Sequence, residues 1–471
     1  MSGPANLISA VEQRLGPKGV ITDAAEIQPW LADWRGRYHG ASAGILAPAT
    51  TEEVAEIVRL AAEHRVPLVP QGGNTGMVGG AIPPDDGSAV LLSLRRMNRI
   101  RSLDAGSRLA VVDAGVILQT LHDAAHEAGL RFPLTLGARG SCTVGGLAST
   151  NAGGTQVLKF GTMRGLIAGI EAVLPDGSVH DGLSALKKDN RGYSIDQLLI
   201  GAEGTLGVIT AVAVRLVPAV ASRAVAWVGV DRPQDALSLL RFLEGRTQSI
   251  EGFELVADDA LRLVLKHIPG TRAPLEGSCR WQVLVEATTT EAGHDISAEL
   301  EQLLGDALAN GLIGDAVIAS SEAQAEAFWR IRDSISEAER AEGQTLAHDI
   351  SVPVDAMPDF LVHASAEVER AFPGAVASGF GHLGDGNIHF HVRAGGRTAA
   401  DWYEREGPAI TRFVDDLVTA AGGSISAEHG IGQMKVGELA RLASPARVHA
   451  MRAIKQALDP LGIMNPGKLV P

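Results

Sequence analysis

Apolar residues recur at helical spacing through Val54, Ile57, Val58 and Ala61, behind an acidic first turn of Glu52 and Glu53. This predicts an amphipathic helix capped by Thr51, entered from a strand at residues 45–47. Short apolar runs at 66–70, 89–94 and 109–113 read as strands, and residues 117–128 as a helix closed by Gly129. Residues 170–174 and the arm after Pro175-Asp176-Gly177 read as a hairpin, because Asp-Gly tolerates the positive φ such turns need. A strand over 206–217 ends at Pro218. Beyond it, strands at 225–230, 252–256 and 281–286 alternate with helices at 235–243 and 296–309, which predicts a sheet covered on one face by helices. A single helix is predicted over 322–340, then a strand at 349–352, a helix over 402–421 and two short helices before Asn465.

Composition narrows the function classes. A chain of 471 residues suits about three domains. Its 55 glycines exceed ordinary usage of about 7%, which points to backbone brought close to ligands. A formal charge of −14 argues against a sequence-independent grip on nucleic acid, which needs a basic face. Cys142 and Cys279 form neither a disulfide framework nor a CxxC pattern, so a reducing compartment is expected. The first residues lack a basic stretch followed by an apolar one, and no run of about 18 apolar residues occurs. No membrane span and a cytoplasmic location are the expectations.

Three glycine-rich segments stand out in the first half. In Pro70-Gln-Gly-Gly-Asn-Thr-Gly-Met-Val-Gly-Gly80, glycines follow a strand, where backbone N–H groups can approach an anion such as a pyrophosphate. No Gly-Lys-Ser/Thr follows, so this is not a P-loop. Residues 137–154 run for eighteen positions in small and hydroxyl residues, a loop length expected only where a ligand orders it. Gly201-Ala-Glu-Gly-Thr-Leu-Gly-Val-Ile209 repeats the theme before a strand.

The second half carries the titratable chemistry. In Gly379-Phe-Gly-His-Leu-Gly-Asp-Gly-Asn-Ile-His389, an unbroken strand would aim His382 and His389 at opposite faces. Gly384-Asp385-Gly386-Asn387 is turn chemistry that lets the chain bend and turn both rings to one point, and His391 shares the face of His389. A lone histidine is more often a satisfied core residue. Two with a carboxylate suit Zn²⁺, with Mn²⁺ or Fe²⁺ as alternatives. Asn387 reads as a turn residue rather than a ligand.

The ordered set GGNTG, GSCTVGGLASTNAGG, GAEGTLGVIT, GHLGDGNIH, AEHGIG and NPGK resembles the flavoproteins of the vanillyl-alcohol oxidase superfamily, with PCMH-type FAD binding. Within it the chain is most similar to the D-2-hydroxyglutarate and D-lactate dehydrogenase branch, over essentially its whole length. The resemblance implies an α+β fold. A two-part FAD-binding domain would occupy 1–218 (core about 40–218), an α/β substrate-binding cap 219–425, and a small helical C-terminal segment 426–471. It implies FAD on Gly72, Gly73, Asn74, Thr75, Gly76 and Gly79, on Gly140, Ser141, Thr143, Gly145, Gly146, Asn151 and Gly153, and on Gly204, Gly207, Ile209 and Asn465. Asn74 stands where many covalent relatives carry a flavin-linking histidine, so non-covalent FAD is expected. His382, His389 and Glu428 match metal ligands, His429 the catalytic base, and Arg332 the carboxylate-binding arginine; Ser336 and His391 are further substrate-contact candidates.

The implied reaction is oxidation of a D-2-hydroxy acid to the 2-oxo acid by hydride transfer to flavin N5, with D-2-hydroxyglutarate ahead of D-lactate. D-lactate dehydrogenase, an O₂-using D-lactate oxidase, a non-catalytic flavin-binding subunit and flavin-free metal-dependent hydrolysis are the alternatives. Two departures bear on the substrate. Ala347 stands where 2-hydroxyglutarate enzymes usually carry a substrate-contacting lysine, and His391 where they frequently carry asparagine. A soluble electron-transfer flavoprotein or a quinone is the expected acceptor, and a homodimer the expected assembly.

Overall fold

The computed structural model describes residues 3–184, 186–277, 279–395 and 401–471. The chain forms two units, one of Met1–Gly154, Phe160–Ala219 and Glu428–Pro471, the other of Thr155–Lys159 and Val220–Ala427.

In the first unit the helix Thr51–His64 turns Val54, Ile57, Val58 and Ala61 inward, where they pack with Leu7 and Val11 of an unpredicted helix, Gly3–Leu15. The cap is Thr50, whose side chain accepts from Glu53 N at 3.2 Å. Thr51 lies one residue inside and gives its hydroxyl to Glu171 at 2.6 Å, which corrects the expected cap. These helices cover a four-stranded sheet in the order Val20–Ile21, Ile45–Leu46, Val90–Ser93, Leu68–Gln71. A five-stranded antiparallel sheet runs Ile100–Asp104, Leu109–Asp113, Val208–Arg215, Ile167–Val173, Val179–Asp181. The last two strands are the expected hairpin, with Gly177 at φ 79° in its turn. Gly129, at φ 70°, follows the C-cap Ala128 of the helix Leu118–Glu127.

The segment 137–154 is not the long ligand-ordered loop expected. Residues Val144–Thr150 form a helix, with Thr143 accepting from Gly146 N at its start and Asn151 in the left-handed conformation at its end. Its own caps and the burial of Val144, Leu147 and Ala148 hold it.

The second unit is built on a seven-stranded sheet in the order Asp315–Ile318, Ser222–Val230, Trp281–Thr289, Ile250–Ala257, Ala375–His382, Asn387–Ala394, Thr345–Ser351. Helices cover both faces, not one. Ala224, Ala226, Val228 and Val230 pack with the helices Pro233–Glu244, Ile296–Ala309, Met357–Ala371 and Trp402–Ala420. Val225 and Trp227 point the other way, to Asp258–His267, Glu322–Asp333 and Ile335–Glu342. A strand apolar on both faces shows no alternation to count, which is why the second layer of helices escaped the sequence pattern. The helix expected over 322–340 is two helices, divided at Ser334.

Candidate active site

In the first unit the glycine segments meet. A Cβ on Gly72 would lie 2.2 Å from Thr143 Oγ1, and one on Gly73 2.0 Å from the carbonyl oxygen of Ser141, so only glycine lets the 70–80 and 137–154 segments approach this closely. Asn74 sits at φ 54° and donates Nδ2 to Ala32 O at 2.8 Å. Gly76, Gly140 and Ser141 are exposed, Thr75 half-buried, and Gly76 and Gly140 have open space around them. Gly79, at φ 68°, is crowded by Tyr38 and Gln433.

Gly145 packs on Ala114, Gly146 donates to the Thr143 cap, and Asn151 Oδ1 accepts from Arg164 N at 2.9 Å. Gly153 is buried, Gly204 at φ 72° abuts Pro70, and Gly207 abuts Val173 O. The Ile209 side chain lies in the core beneath. Asn465, at φ 43°, donates Nδ2 to Gly80 O at 2.9 Å and Glu203 O at 2.7 Å, while its buried Oδ1 has no hydrogen-bond partner among the described residues.

Glu203 was not singled out from the sequence, although it lies inside the 201–209 motif. Its buried carboxylate accepts from Ile431 N and Gly432 N, both at 2.7 Å. Burial raises its pKa, and the two amides only partly offset this. Glu203 therefore ties the chain just past Glu428 and His429, both half-buried, to the glycine-rich motifs of the same unit.

In the second unit the predicted groups share one polar sheet face. Strand alternation puts Asn387, His389, His391 and Arg393 on that face, opposite the buried Ile388, Phe390 and Val392. The turn after His382, with Gly386 at φ 80°, brings the His382 and His389 ring centroids to 5.5 Å. Burial first, then the positive charge of Arg332, holds the His389 pKa well below its usual value, so this imidazole stays neutral, the form that binds a metal.

Arg332 is buried at the end of Glu322–Asp333, and its Nε donates to Glu254 at 2.7 Å. The break at Ser334 puts Ser336, half-buried, on the next helix rather than one continuous turn beyond Arg332. His391 donates from Nδ1 to the fully buried Glu339, which also accepts from Ser378 Oγ at 3.1 Å. Asn387 is held inward by bonds from Nδ2 to Asp349 Oδ1 and Ile350 O, both 3.0 Å, and its Oδ1 has no partner among the described residues. This donor set, two imidazoles beside carboxylates, fits a divalent cation.

Residues 220–469 match the family model for the C-terminal domain of FAD-linked oxidases, and residues 42–182 that for an FAD binding domain. The chain belongs to the FAD-linked oxidases. A mitochondrial D-2-hydroxyglutarate dehydrogenase of Arabidopsis thaliana is 37% identical over 98% of this chain and 81% of its own. One of Bos taurus is 38% identical, over 98% and 83%. A putative mitochondrial D-lactate dehydrogenase of Schizosaccharomyces pombe is 37% identical, over 95% and 86%. Among solved structures, an alkyldihydroxyacetonephosphate synthase shares the fold at TM-score 0.73 and 16% identity, over 98% of this chain and 84% of that one. The α+β, vanillyl-alcohol-oxidase-type architecture expected from the motifs is thus the observed one.

Among the described residues of this FAD-linked oxidase no helix is long and apolar enough to cross a membrane. Ala347 and His391, both singled out from the sequence, are direct neighbours in the sheet, paired across the strands. The oxidase thus has a small exposed side chain beside an imidazole already committed to Glu339.

Proposed function

We propose that this FAD-linked oxidase is a dehydrogenase of D-2-hydroxy acids that uses non-covalently bound FAD and a divalent metal, zinc first. The observation that carries the proposal is the grouping of Arg332, His382 and His389 on one polar sheet face. FAD, when bound, supplies the hydride acceptor at N5, and the metal lowers the pKa of the substrate hydroxyl. The chain's own groups do the rest. Arg332 offers positive charge and N–H donors to the C1 carboxylate from the side of its guanidinium turned away from Glu254, helped by Ser336, and His429 takes the hydroxyl proton as the C2 hydride leaves. His382 and His389 hold the metal, with Glu428 as third ligand. The amide of Asn74 offers no nucleophile for a flavin link. The proposed FAD contacts are the loops that meet at Gly72 and Gly73, with the 201–209 motif and Asn465.

D-2-hydroxyglutarate is placed ahead of D-lactate because the stretch 329–336 resembles the former's enzymes. Ala347 in place of a lysine favours D-lactate as second reading, since that substrate has no second carboxylate. A soluble electron-transfer flavoprotein, or a quinone, is the proposed acceptor, and a homodimer the proposed assembly. The two unpaired cysteines suit a reducing compartment, for which we propose the cytoplasm, although the relatives named above are mitochondrial. Steady-state turnover with an artificial acceptor tests the reading: D-2-hydroxyglutarate or D-lactate should be oxidised, and their L-enantiomers should not. Absence of turnover with every D-2-hydroxy acid, in FAD-replete and zinc-supplemented protein, refutes it. Peroxide release in place of acceptor reduction reassigns it as an oxidase.

A further inference from the structure

We infer that Glu254 is a positioning residue that sets His382 and Arg332 for their proposed roles, an inference that rests on the dehydrogenase reading above. Glu254 lies on the strand Ile250–Ala257, directly paired with His382 on the neighbouring strand, and is 1% exposed. Its Oε2 accepts from Arg332 at Nε and Nη2, both 2.7 Å, and its Oε1 accepts from His382 Nδ1 at 2.6 Å. Each carboxylate oxygen thus serves a different functional side chain.

The consequence for His382 follows from hydrogen bookkeeping. An ionised carboxylate only accepts, so the imidazole proton must sit on Nδ1. Nε2 then carries the lone pair, and Arg332 Nη2 lies 3.3 Å from it, as a donor to that lone pair would. Glu254 on one side and Arg332 on the other select the same tautomer, the one that keeps the proton off Nε2; a metal at Nε2 would take the lone pair that Arg332 faces here. The consequence for Arg332 is orientational. Anchoring the Nε edge fixes the plane of the guanidinium, and the Phe380 ring, 5.6 Å from its Cζ, supports that plane.

Stability alone does not account for a glutamate here. Its neighbours Phe253 and Leu255 are buried apolar residues of the same strand, and a buried ion pair is often no more stable than an apolar replacement of similar volume. What an apolar residue lacks is the pair of acceptors that orients two other groups.

Glu254→Gln is the test, in the full-length protein with FAD bound. An amide has one accepting oxygen and presents donors on the other side, so it serves His382 or Arg332 but not both. The variant should keep its circular dichroism and flavin absorbance. After chelator stripping, its affinity for added zinc should fall about 10- to 100-fold, with KM for the hydroxy acid raised. The zinc-free arm is ¹⁵N-histidine NMR: wild-type His382 should be the Nδ1–H tautomer, and Glu254→Gln should shift or mix it. Unchanged zinc affinity together with an unchanged tautomer in the variant overturns the inference, and so does an Nε2–H tautomer in the wild type. Should Glu254→Gln not fold, Glu254→Asp, whose carboxylate is too short to reach both partners, takes its place with the same two readouts. A wild type that binds no zinc defeats the metal part of the proposed function, and the tautomer measurement still decides the role of Glu254.

Discussion

Arg332 and Glu254 face each other almost out of contact with water, so each depends on the other in stability as well as function. Arg332→Met should cost roughly 2–3 kcal/mol in urea unfolding, because it strips charged hydrogen bonds from a buried carboxylate that, among the described residues, is left with His382. Burial alone would raise the Glu254 pKa, but the charge of Arg332 and the hydrogen bonds from Arg332 and His382 outweigh it and bring the value to about 2. A carboxyl held low in the fold contributes stability that is complete above its ordinary 4.5 and is lost as pH falls towards 2. The stability gap between wild type and Glu254→Gln should therefore be constant above about pH 5 and shrink on acidification; a gap that widens instead contradicts the pairing. His429→Asn should keep the flavin absorbance and lower kcat about 10²- to 10⁴-fold, as loss of a general base does. The His382–His389 pair was legible in the sequence because Gly384-Asp385-Gly386-Asn387 announces a turn between the rings. Glu254 was not, because it is one carboxylate in an apolar strand and its partner His382 is 128 residues away.

Elements divide along the same line between local and long-range signals. Helices with one wet face, such as Thr51–His64 and Ile296–Ala309, were readable from their 3.6-residue period. The break at Ser334 had no proline or glycine to mark it, and the helix Val144–Thr150 hides in small residues whose apolar stripe is only Val144, Leu147 and Ala148. The strand Ile100–Asp104, read as Ile-Arg-Ser-Leu-Asp, lacks the alternation that reveals a strand. The glycine segments make a sharper prediction. Gly73→Ala would set a methyl against Ser141 O, whereas Gly437→Ala, away from the glycine segments, meets nothing within 4 Å and has no positive φ to lose. Flavin-to-protein absorbance should fall several-fold in Gly73→Ala and stay near wild type in Gly437→Ala. Equal loss in both would mean that the approach of the two segments does not govern FAD binding.

At the scale of the whole molecule, membership of the FAD-linked oxidases accounts for the order of the glycine and histidine motifs along 471 residues. Ala347 and His391 leave the choice between the named dehydrogenase activities to experiment. Metal dependence is open to a simple assay: chelator treatment should abolish turnover without bleaching or releasing the flavin, and zinc should restore it. Turnover that survives chelation removes the metal from the mechanism while leaving the flavin chemistry intact. The most direct test of the central claim is anaerobic mixing of the oxidised, metal-loaded protein with a D-2-hydroxy acid carrying hydrogen or deuterium at C2. The account predicts loss of the 450 nm flavin band with D-2-hydroxyglutarate or D-lactate, several-fold slower with deuterium; a band that stays oxidised with both acids, or bleaches at the same rate for either isotope, contradicts it.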